Sequence, residues 1–154
     1  MKVTSPVVTL QMPTENRINQ QKLNSLLADM KGKKCFRSWD GVPPAIFFEL
    51  GNPIDKGRRQ GEFSLCIMGA LWKIQKDQKT IARPNLEKEQ VIGAIKLFES
   101  EVLEQIEICK LPEDIIRFSN GLKITIDRND SYEWSIVTPT QEVIFTSNNF
   151  NFIK

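Results

Sequence analysis

The feature that most constrains the fold of this chain is an internal similarity between its two halves. Residues 45–51 resemble residues 115–121, which lie 70 positions later, and a helical pattern of apolar residues precedes each segment. An alternating apolar stretch follows each segment and leads to a Trp-x-Ile triplet, which begins at Trp72 in the first half and at Trp134 in the second. We therefore predict an α+β fold in which two pseudo-repeated αββββ halves form one domain, with antiparallel sheet and covering helices.

The similarity also predicts where each half begins and ends. A length of 154 residues suits one domain with a sizeable core. The first half spans about residues 14–83 and the second about residues 84–146, which leaves a C-terminal tail of residues 147–154 that we expect to dock on the body. The first half is longer mainly because of residues 52–61, an irregular segment between two strand patterns.

Three short signals predict the boundaries of individual elements. Gly32 follows a helical stripe and is a natural stop, because glycine tolerates a left-handed conformation. Asn85 can cap the second helix, which we expect to reach about Ser100. The dipeptide Asn120-Gly121 separates two apolar runs and is the strongest hairpin signal in the chain.

Charge is unevenly distributed along a chain of low net charge. The formal net charge is +2, but residues 1–83 carry 14 Lys and Arg against 7 Asp and Glu, whereas residues 84–154 carry 7 against 12. One interpretation is that two packed halves of opposite charge attract each other. The other is a bipolar surface that steers a charged partner. Both stay open, because the sequence does not locate the charges on the fold.

Residue types exclude several kinds of chemistry. The chain contains no histidine, so it has no imidazole base, no histidine triad and no histidine metal ligand. The three cysteines, Cys35, Cys66 and Cys109, lack CxxC spacing, and we interpret them as reduced thiols of a cytoplasmic protein without a metal or cofactor. Cys66 lies in an apolar strand pattern that indicates an inert core thiol, whereas two lysines before Cys35 could lower its pKa. We expect no membrane span, because no apolar run approaches the length that one requires.

Residues 52–61, the basic loop, are the first candidate for a functional surface. Lys56, Arg58 and Arg59 alternate there with glycines, so the backbone can approach a ligand closely. Guanidinium groups suit carboxylate or phosphate partners, although no phosphate-binding loop motif is present. The alternative is a solvated hairpin loop without a ligand.

The three tryptophans are expected to divide between core and surface. Trp72 and Trp134 occupy matching places in the similarity, which favours a core role for both. Trp39 stands beside Arg37 and has no aromatic counterpart in the second half. Because exposed Trp and Arg are typical hot-spot residues, we predict that Trp39 and Arg37 contribute to a partner-binding surface.

The order of these elements carries a family resemblance. The segments concerned are a helix ending at Lys31-Gly32, Phe48 with Gly51, residues 61–65, Trp72 with Ile74, Phe118 with Gly121, and Trp134 with Ile136. In this order they resemble small bacterial α+β proteins of the immunity type, which neutralise a toxin by binding it. The resemblance implies a non-catalytic protein-binding factor, an immunity or defence-associated protein, and no catalytic residue comes with it.

Two other functions stay open at this point. The chain could be a nucleic-acid or small-anionic-ligand binding module that uses the basic loop. An enzyme is the third alternative, with Glu49 and Glu62 beside the loop as the candidates for acid–base work, although no catalytic constellation accompanies them. A homodimer is also open, because an edge strand of either half could pair with a second copy.

Overall fold

The computed structural model describes residues 14–68, 71–108, 113–128, 133–146 and 149–153. Over these residues the chain forms two helices and eleven strands, and most of the ordered backbone is strand. The helices are α1 (Thr14–Met30) and α2 (Lys88–Lys96). The strands are β1 (Cys35–Asp40), β2 (Ile46–Pro53), β3 (Gly61–Ile67), β4 (Trp72–Lys76), β5 (Lys79–Ala82), β6 (Leu103–Glu107), β7 (Glu113–Phe118), β8 (Leu122–Asp127), β9 (Trp134–Val137), β10 (Glu142–Phe145) and β11 (Phe150–Ile153).

The strands lie in two antiparallel sheets. The first sheet has the order β1-β2-β3-β9-β10-β11 and the second has the order β5-β4-β8-β7-β6. The chain crosses to the second sheet between β3 and β4 and returns between β8 and β9, so each sheet contains strands from both sides of α2. The α+β class is therefore confirmed. However, the described chain has five strands between its helices where four were predicted. Its eleven strands also form two sheets, because sheets of more than about ten strands usually split into layers.

The inner faces of the sheets and one side of each helix form the core. At its centre Phe98 makes edge-on contacts with Phe48 and Phe118, at ring-centroid distances of 4.9 and 5.0 Å. All three rings are fully buried, and each comes from a different element or its flank. The helices add a second set of buried apolar residues, namely Leu23, Leu26, Met30, Val91, Ala94 and Ile95.

The two matching tryptophans are buried, as predicted. Trp72 is 4% exposed and donates its indole N–H to the carbonyl of Pro44 at 2.8 Å. Trp134 is fully buried and donates to Oδ2 of Asp114 at 2.8 Å. The same oxygen lies 2.8 Å from Nε of Arg128, which is also buried. Each indole N–H therefore has a hydrogen-bond acceptor, and the acceptor of Trp134 belongs to a buried ion pair.

A polar contact anchors α2 to β1. Ser38 is fully buried, and its N–H and hydroxyl both donate to Oε2 of Glu99, at 2.8 and 3.2 Å. Nζ of Lys96 donates to the carbonyl of Ser38 at 2.9 Å and to the same carboxylate at 3.0 Å. Burial by itself would raise the pKa of Glu99, but the hydrogen bonds from Ser38 and Lys96 outweigh it and hold the pKa below its ordinary 4.5.

The predicted helix boundaries are partly right. Gly32 follows α1 with φ of +88°, which confirms it as the stop. The second helix begins at Lys88, so the prediction that Asn85 caps it is wrong. Asn85 instead lies in a turn closed by a 3.2 Å hydrogen bond from the N–H of Leu86 to the carbonyl of Arg83. The helix also ends at Lys96, before the predicted end near Ser100.

Two predictions about strand connections are confirmed. Asn120 and Gly121 join β7 to β8 with φ of +65° and +74°, the positive values that a tight hairpin turn of this kind requires. In the tail, β11 pairs with β10 along its whole length, for example at Val143 and Phe152. The described part of the tail is therefore an edge strand of the first sheet.

Candidate functional site

An open cleft of about 570 Å³ lies on the outer face of the first sheet, the face that points away from the core. We call it the aromatic cleft. β1 and β2 contribute Arg37, Trp39, Phe47 and Glu49 to its lining. β3 and β9 contribute Ser64, Cys66 and Val137, and the basic loop contributes Asp55, Arg59 and Gln60. The cleft thus brings together three of the five predicted site residues.

A bulge in β1 turns the functional side chains outward. Cys35 pairs with Leu50, but the next pair joins Arg37 to Glu49, so one extra residue of β1 lies between them. Since side chains alternate along a strand, this extra residue reverses the face of everything after it. Cys35 consequently points into the core, whereas Arg37 and Trp39 reach the outer face.

Trp39 stands at the centre of a stack of three side chains. Its ring lies parallel to that of Phe47, its cross-strand partner, with centroids 3.9 Å apart and an interplanar angle of 14°. Cζ of Arg37 lies over the same indole, 4.9 Å from the centroid. Nη1 of Arg37 also donates to the carbonyl of Arg59 at 3.0 Å. The guanidinium is therefore fixed by a ring on one side and by the basic loop on the other.

A buried carboxylate supports this stack from below. Glu49 is only 4% exposed, and its Oε2 accepts a hydrogen bond from Nε1 of Trp39 at 3.2 Å. Its Oε1 accepts from the hydroxyl of Ser64 at 2.5 Å and from the N–H of Gly61 at 3.1 Å. A buried charge is tolerated when hydrogen bonds satisfy it, and here they also hold the indole in place.

The basic loop has a defined backbone geometry. Oδ1 of Asp55 accepts hydrogen bonds from the N–H groups of Arg59 and Gln60, both at 2.9 Å. These hydrogen bonds lower the pKa of Asp55 below its ordinary value, and the hydrogen bond from Gln60 has the largest effect. Arg59 lines the aromatic cleft, whereas Lys56 and Arg58 are exposed beside it, the latter with φ of +55°. The loop therefore presents its cations at the edge of the cleft.

The cations of this site have no ion-pair partner in the part of the chain that the structure describes. Within the described residues, no carboxylate lies within 4.0 Å of a charged nitrogen of Arg37, Lys56, Arg58 or Arg59. The outer face of the second sheet differs in this respect. There Nε of Arg117 lies 2.7 Å from Oε2 of Glu107 on the neighbouring strand. The two outer faces thus differ in that the arginine of the second sheet is held by a direct ion pair, whereas Arg37 of the first sheet is held by a carbonyl and an indole.

The structure corrects two predictions about cysteine. Cys66 is half-buried in the lining of the aromatic cleft and does not lie in the core, because the core face of β3 is taken by its neighbours Leu65 and Ile67. Burial raises its pKa to about 12, which agrees with an inert thiol. The two lysines before Cys35 could have lowered its pKa, but burial of the thiol raises the pKa to about 12. Cys109 lies outside the described residues.

Sequence reasoning missed Phe47 and Ser64 as site residues and treated Glu49 only as a catalytic candidate. Phe47 and Glu49 alternate with buried neighbours in β2, so a period of two was the available signal. That signal does not identify the cross-strand partners, which depend on the bulge. Glu62, the other catalytic candidate, lies outside the cleft lining, where its Oε1 accepts from the N–H of Asn52 at 2.9 Å.

Other surface features are less suited to a site. A second cleft, of about 480 Å³, combines Lys73 and Arg83 with Glu113 and Asp127 and has no aromatic stack. The described residues contain no group of three or more Cys, Asp or Glu side chains placed to hold a metal ion. Neither described helix has the length and apolar character needed to cross a membrane.

Three comparisons with known proteins found no similar protein. No protein-family model matches the chain, and searches of curated proteins and of solved structures returned no match.

Proposed function

We propose that this chain is a non-catalytic protein-binding factor, of the immunity or defence-associated kind, whose partner docks on the aromatic cleft. The observation that carries the proposal is the stack of Arg37, Trp39 and Phe47 on a rigid sheet. Trp and Arg dominate binding energy at protein interfaces when they are held in place before association. Here a sheet, a buried carboxylate and a loop carbonyl hold them.

The shape of the cleft favours a protein partner over a small substrate. Small-molecule sites usually enclose most of the ligand, whereas this cleft is an open face of the sheet. The carboxylate of Glu49 already accepts three hydrogen bonds, which makes it better suited to positioning Trp39 than to moving a proton.

The experiment uses the chain co-expressed with the products of its neighbouring genes, followed by size-exclusion chromatography with light scattering. We expect a stoichiometric complex that Trp39→Ala abolishes. Arg117→Ala is the matched control, because Arg117 lies on the outer face of the other sheet. A complex that survives Trp39→Ala would remove the cleft from the proposal. A lone monomer or homodimer would count against the protein-binding factor itself.

A nucleic-acid or small-anionic-ligand binding module remains the second candidate. It is favoured by the exposure of Lys56, Arg58 and Arg59, none of which has an ion-pair partner in the described part of the chain. This function predicts salt-sensitive binding of an oligonucleotide, lost in an Arg58→Ala/Arg59→Ala double variant. Unchanged oligonucleotide binding in that variant would exclude the basic loop as the binding element.

We also propose that the two halves are an internal duplication whose halves exchange strands. Matching bulges support it: one lies after Cys35 in β1 and the other after Leu103, 68 positions later, in β6. Matching pairs of β3 with β9 and of β8 with β4 also support it, since Ile67 faces Trp134 and Ile126 faces Trp72. In this register the first strands after the two helices match at an offset of 68 residues, whereas the sequence similarity gave an offset of 70.

The duplication has a structural test. In a crystal structure, the unit of α1 with β1–β5 should superpose on the unit of α2 with β6–β10 after a two-fold rotation. Units that superpose only strand by strand, with different relative orientations, would contradict it.

A further inference from the structure

Resting on the proposed function, we infer that the partner segment entering the aromatic cleft is acidic, and that Arg37 binds one of its carboxylates. The proposal concerns the chemistry of the partner, which the proposed function leaves open.

Arg37 is arranged as a receptor for a carboxylate. Its Nη1 donates to the carbonyl of Arg59, and its Cζ lies over the indole of Trp39, 4.9 Å from the ring centroid. A guanidinium has five N–H donors in a fixed fork, so further donors remain for a planar, bidentate partner. Because the side chain is already held in place, little conformational entropy is lost when a carboxylate binds.

The two carboxylates that line the cleft already accept hydrogen bonds within the fold. Glu49 accepts from Trp39, Ser64 and Gly61, and Oδ1 of Asp55 accepts from two backbone N–H groups of its own loop. The cations at the edge, in contrast, have no ion-pair partner among the described residues. The remaining N–H donors of these cations suit an anionic oxygen of the partner.

The stack favours an acidic peptide over a nucleic acid. Non-specific single-strand binders place bases on the open faces of aromatic rings. Phe47 stacks on one face of Trp39, and Cζ of Arg37 lies over the same indole, 4.9 Å from its centroid. Two groups of the chain itself therefore already occupy the indole on which a base would stack, while Val137 and Cys66 offer apolar contact to a side chain next to the bound carboxylate.

The probe is a blocked peptide, Glu-Glu-Leu-Phe-Glu-Glu, and its uncharged control is Gln-Gln-Leu-Phe-Gln-Gln. The reporter is the indole N–H signal of Trp39 in proton–nitrogen NMR spectra, assigned by its loss in Trp39→Phe. The signals of Trp72 and Trp134 are internal controls, because both indoles are buried. We expect the acidic peptide to shift the Trp39 signal and the Gln peptide to shift it much less.

Arg37→Gln should weaken binding of the acidic peptide about tenfold or more, the effect of losing one charge-assisted hydrogen-bonding group. Arg37→Lys should lose less, because it keeps the charge. Arg117→Gln is the matched control and should bind like the unaltered chain, since its arginine is on the other sheet. Spectra of each free variant establish that it is folded.

Three results would overturn the inference. The two peptides could shift the Trp39 signal equally, Arg37→Gln could bind the acidic peptide unchanged, or neither peptide could shift the signal. A fourth arm uses single-stranded oligothymidylate, and a shift of the Trp39 signal larger than that of the peptide would assign the site to nucleic acid. The proposed function is judged separately: a co-expressed complex that is lost in Trp39→Ala but kept in Arg37→Gln supports it and rejects the inference.

Discussion

The buried ion pair of Asp114 and Arg128 gives the sharpest prediction about stability. Asp114 is fully buried and accepts from Trp134, while Arg128 is 5% exposed and donates to the carbonyl of Thr146 at 2.9 Å. Asp114→Ala removes the carboxylate that pairs with the buried guanidinium of Arg128. Breaking a buried pair in this way costs about 3–5 kcal/mol, a large share of the roughly 5–15 kcal/mol that stabilises a typical domain.

The assay is urea unfolding followed by tryptophan fluorescence and by far-ultraviolet circular dichroism. We expect a lower midpoint with an unchanged slope, because the surface exposed on unfolding stays the same. The double variant Asp114→Ala/Arg128→Met should recover part of the lost free energy of unfolding, since it also removes the buried charge of Arg128. Asp127→Ala is the surface control and should change the free energy of unfolding by less than about 0.5 kcal/mol.

This reasoning fails if Asp114→Ala costs less than about 1 kcal/mol, which would mean that the guanidinium finds water or another partner in the variant. It also fails if Arg128→Met brings no recovery in the double variant. In that case the lower stability of Asp114→Ala would come from the lost hydrogen bond of Trp134 and from the cavity left by the side chain of Asp114, not from the buried charge of Arg128.

Three further predictions concern the loop, the helix anchor and the thiols. Gly61→Ala should lower the free energy of unfolding by about 1–3 kcal/mol in urea titrations, because its methyl would collide with the backbone of β2, whereas Gly57→Ala meets only ordinary contacts and should be nearly neutral. The lowered pKa of Glu99 means that its contribution to stability is complete above pH 4.5 and is lost as the pH falls through the folded pKa. Glu99→Gln should therefore flatten the acid side of the stability curve, and an unchanged curve would contradict this. Cys35 and Cys66, with pKa values of about 12, should be alkylated at pH 8 roughly a thousandfold more slowly than free thiols when site-resolved mass spectrometry follows the folded protein.

Much of the local structure could be predicted because it depends on neighbouring residues. The hairpin at Asn120-Gly121 follows from the positive φ that both positions adopt, and the stop at Gly32 has the same cause. The burial of Trp72 and Trp134 follows from apolar alternation in their strands. The division into two sheets could not be predicted, since strand order depends on which distant segments pair.

The aromatic cleft was predicted only in part, and the bulge in β1 explains why. Plain alternation from Cys35 would put Arg37 and Trp39 on the same face as Cys35, inside the core. The extra residue places them outside and turns Ser38 inward, where it is satisfied by α2. Proximity in sequence suggested Arg37 with Trp39, but their meeting with Arg59 depends on tertiary pairing of β1, β2 and the basic loop.

Comparison of the two outer faces indicates why the stack is present at all. On the proposed duplication, Trp39 and Glu49 of the first sheet correspond to Glu107 and Arg117 of the second, and both pairs make a hydrogen bond between neighbouring strands. The second sheet shows that an ordinary ion pair can occupy these positions. Folding alone therefore does not require an indole with a guanidinium over it at Trp39. The proposed binding function accounts for the aromatic side chain at this partly exposed position, because Trp and Arg supply much of the binding energy at protein interfaces.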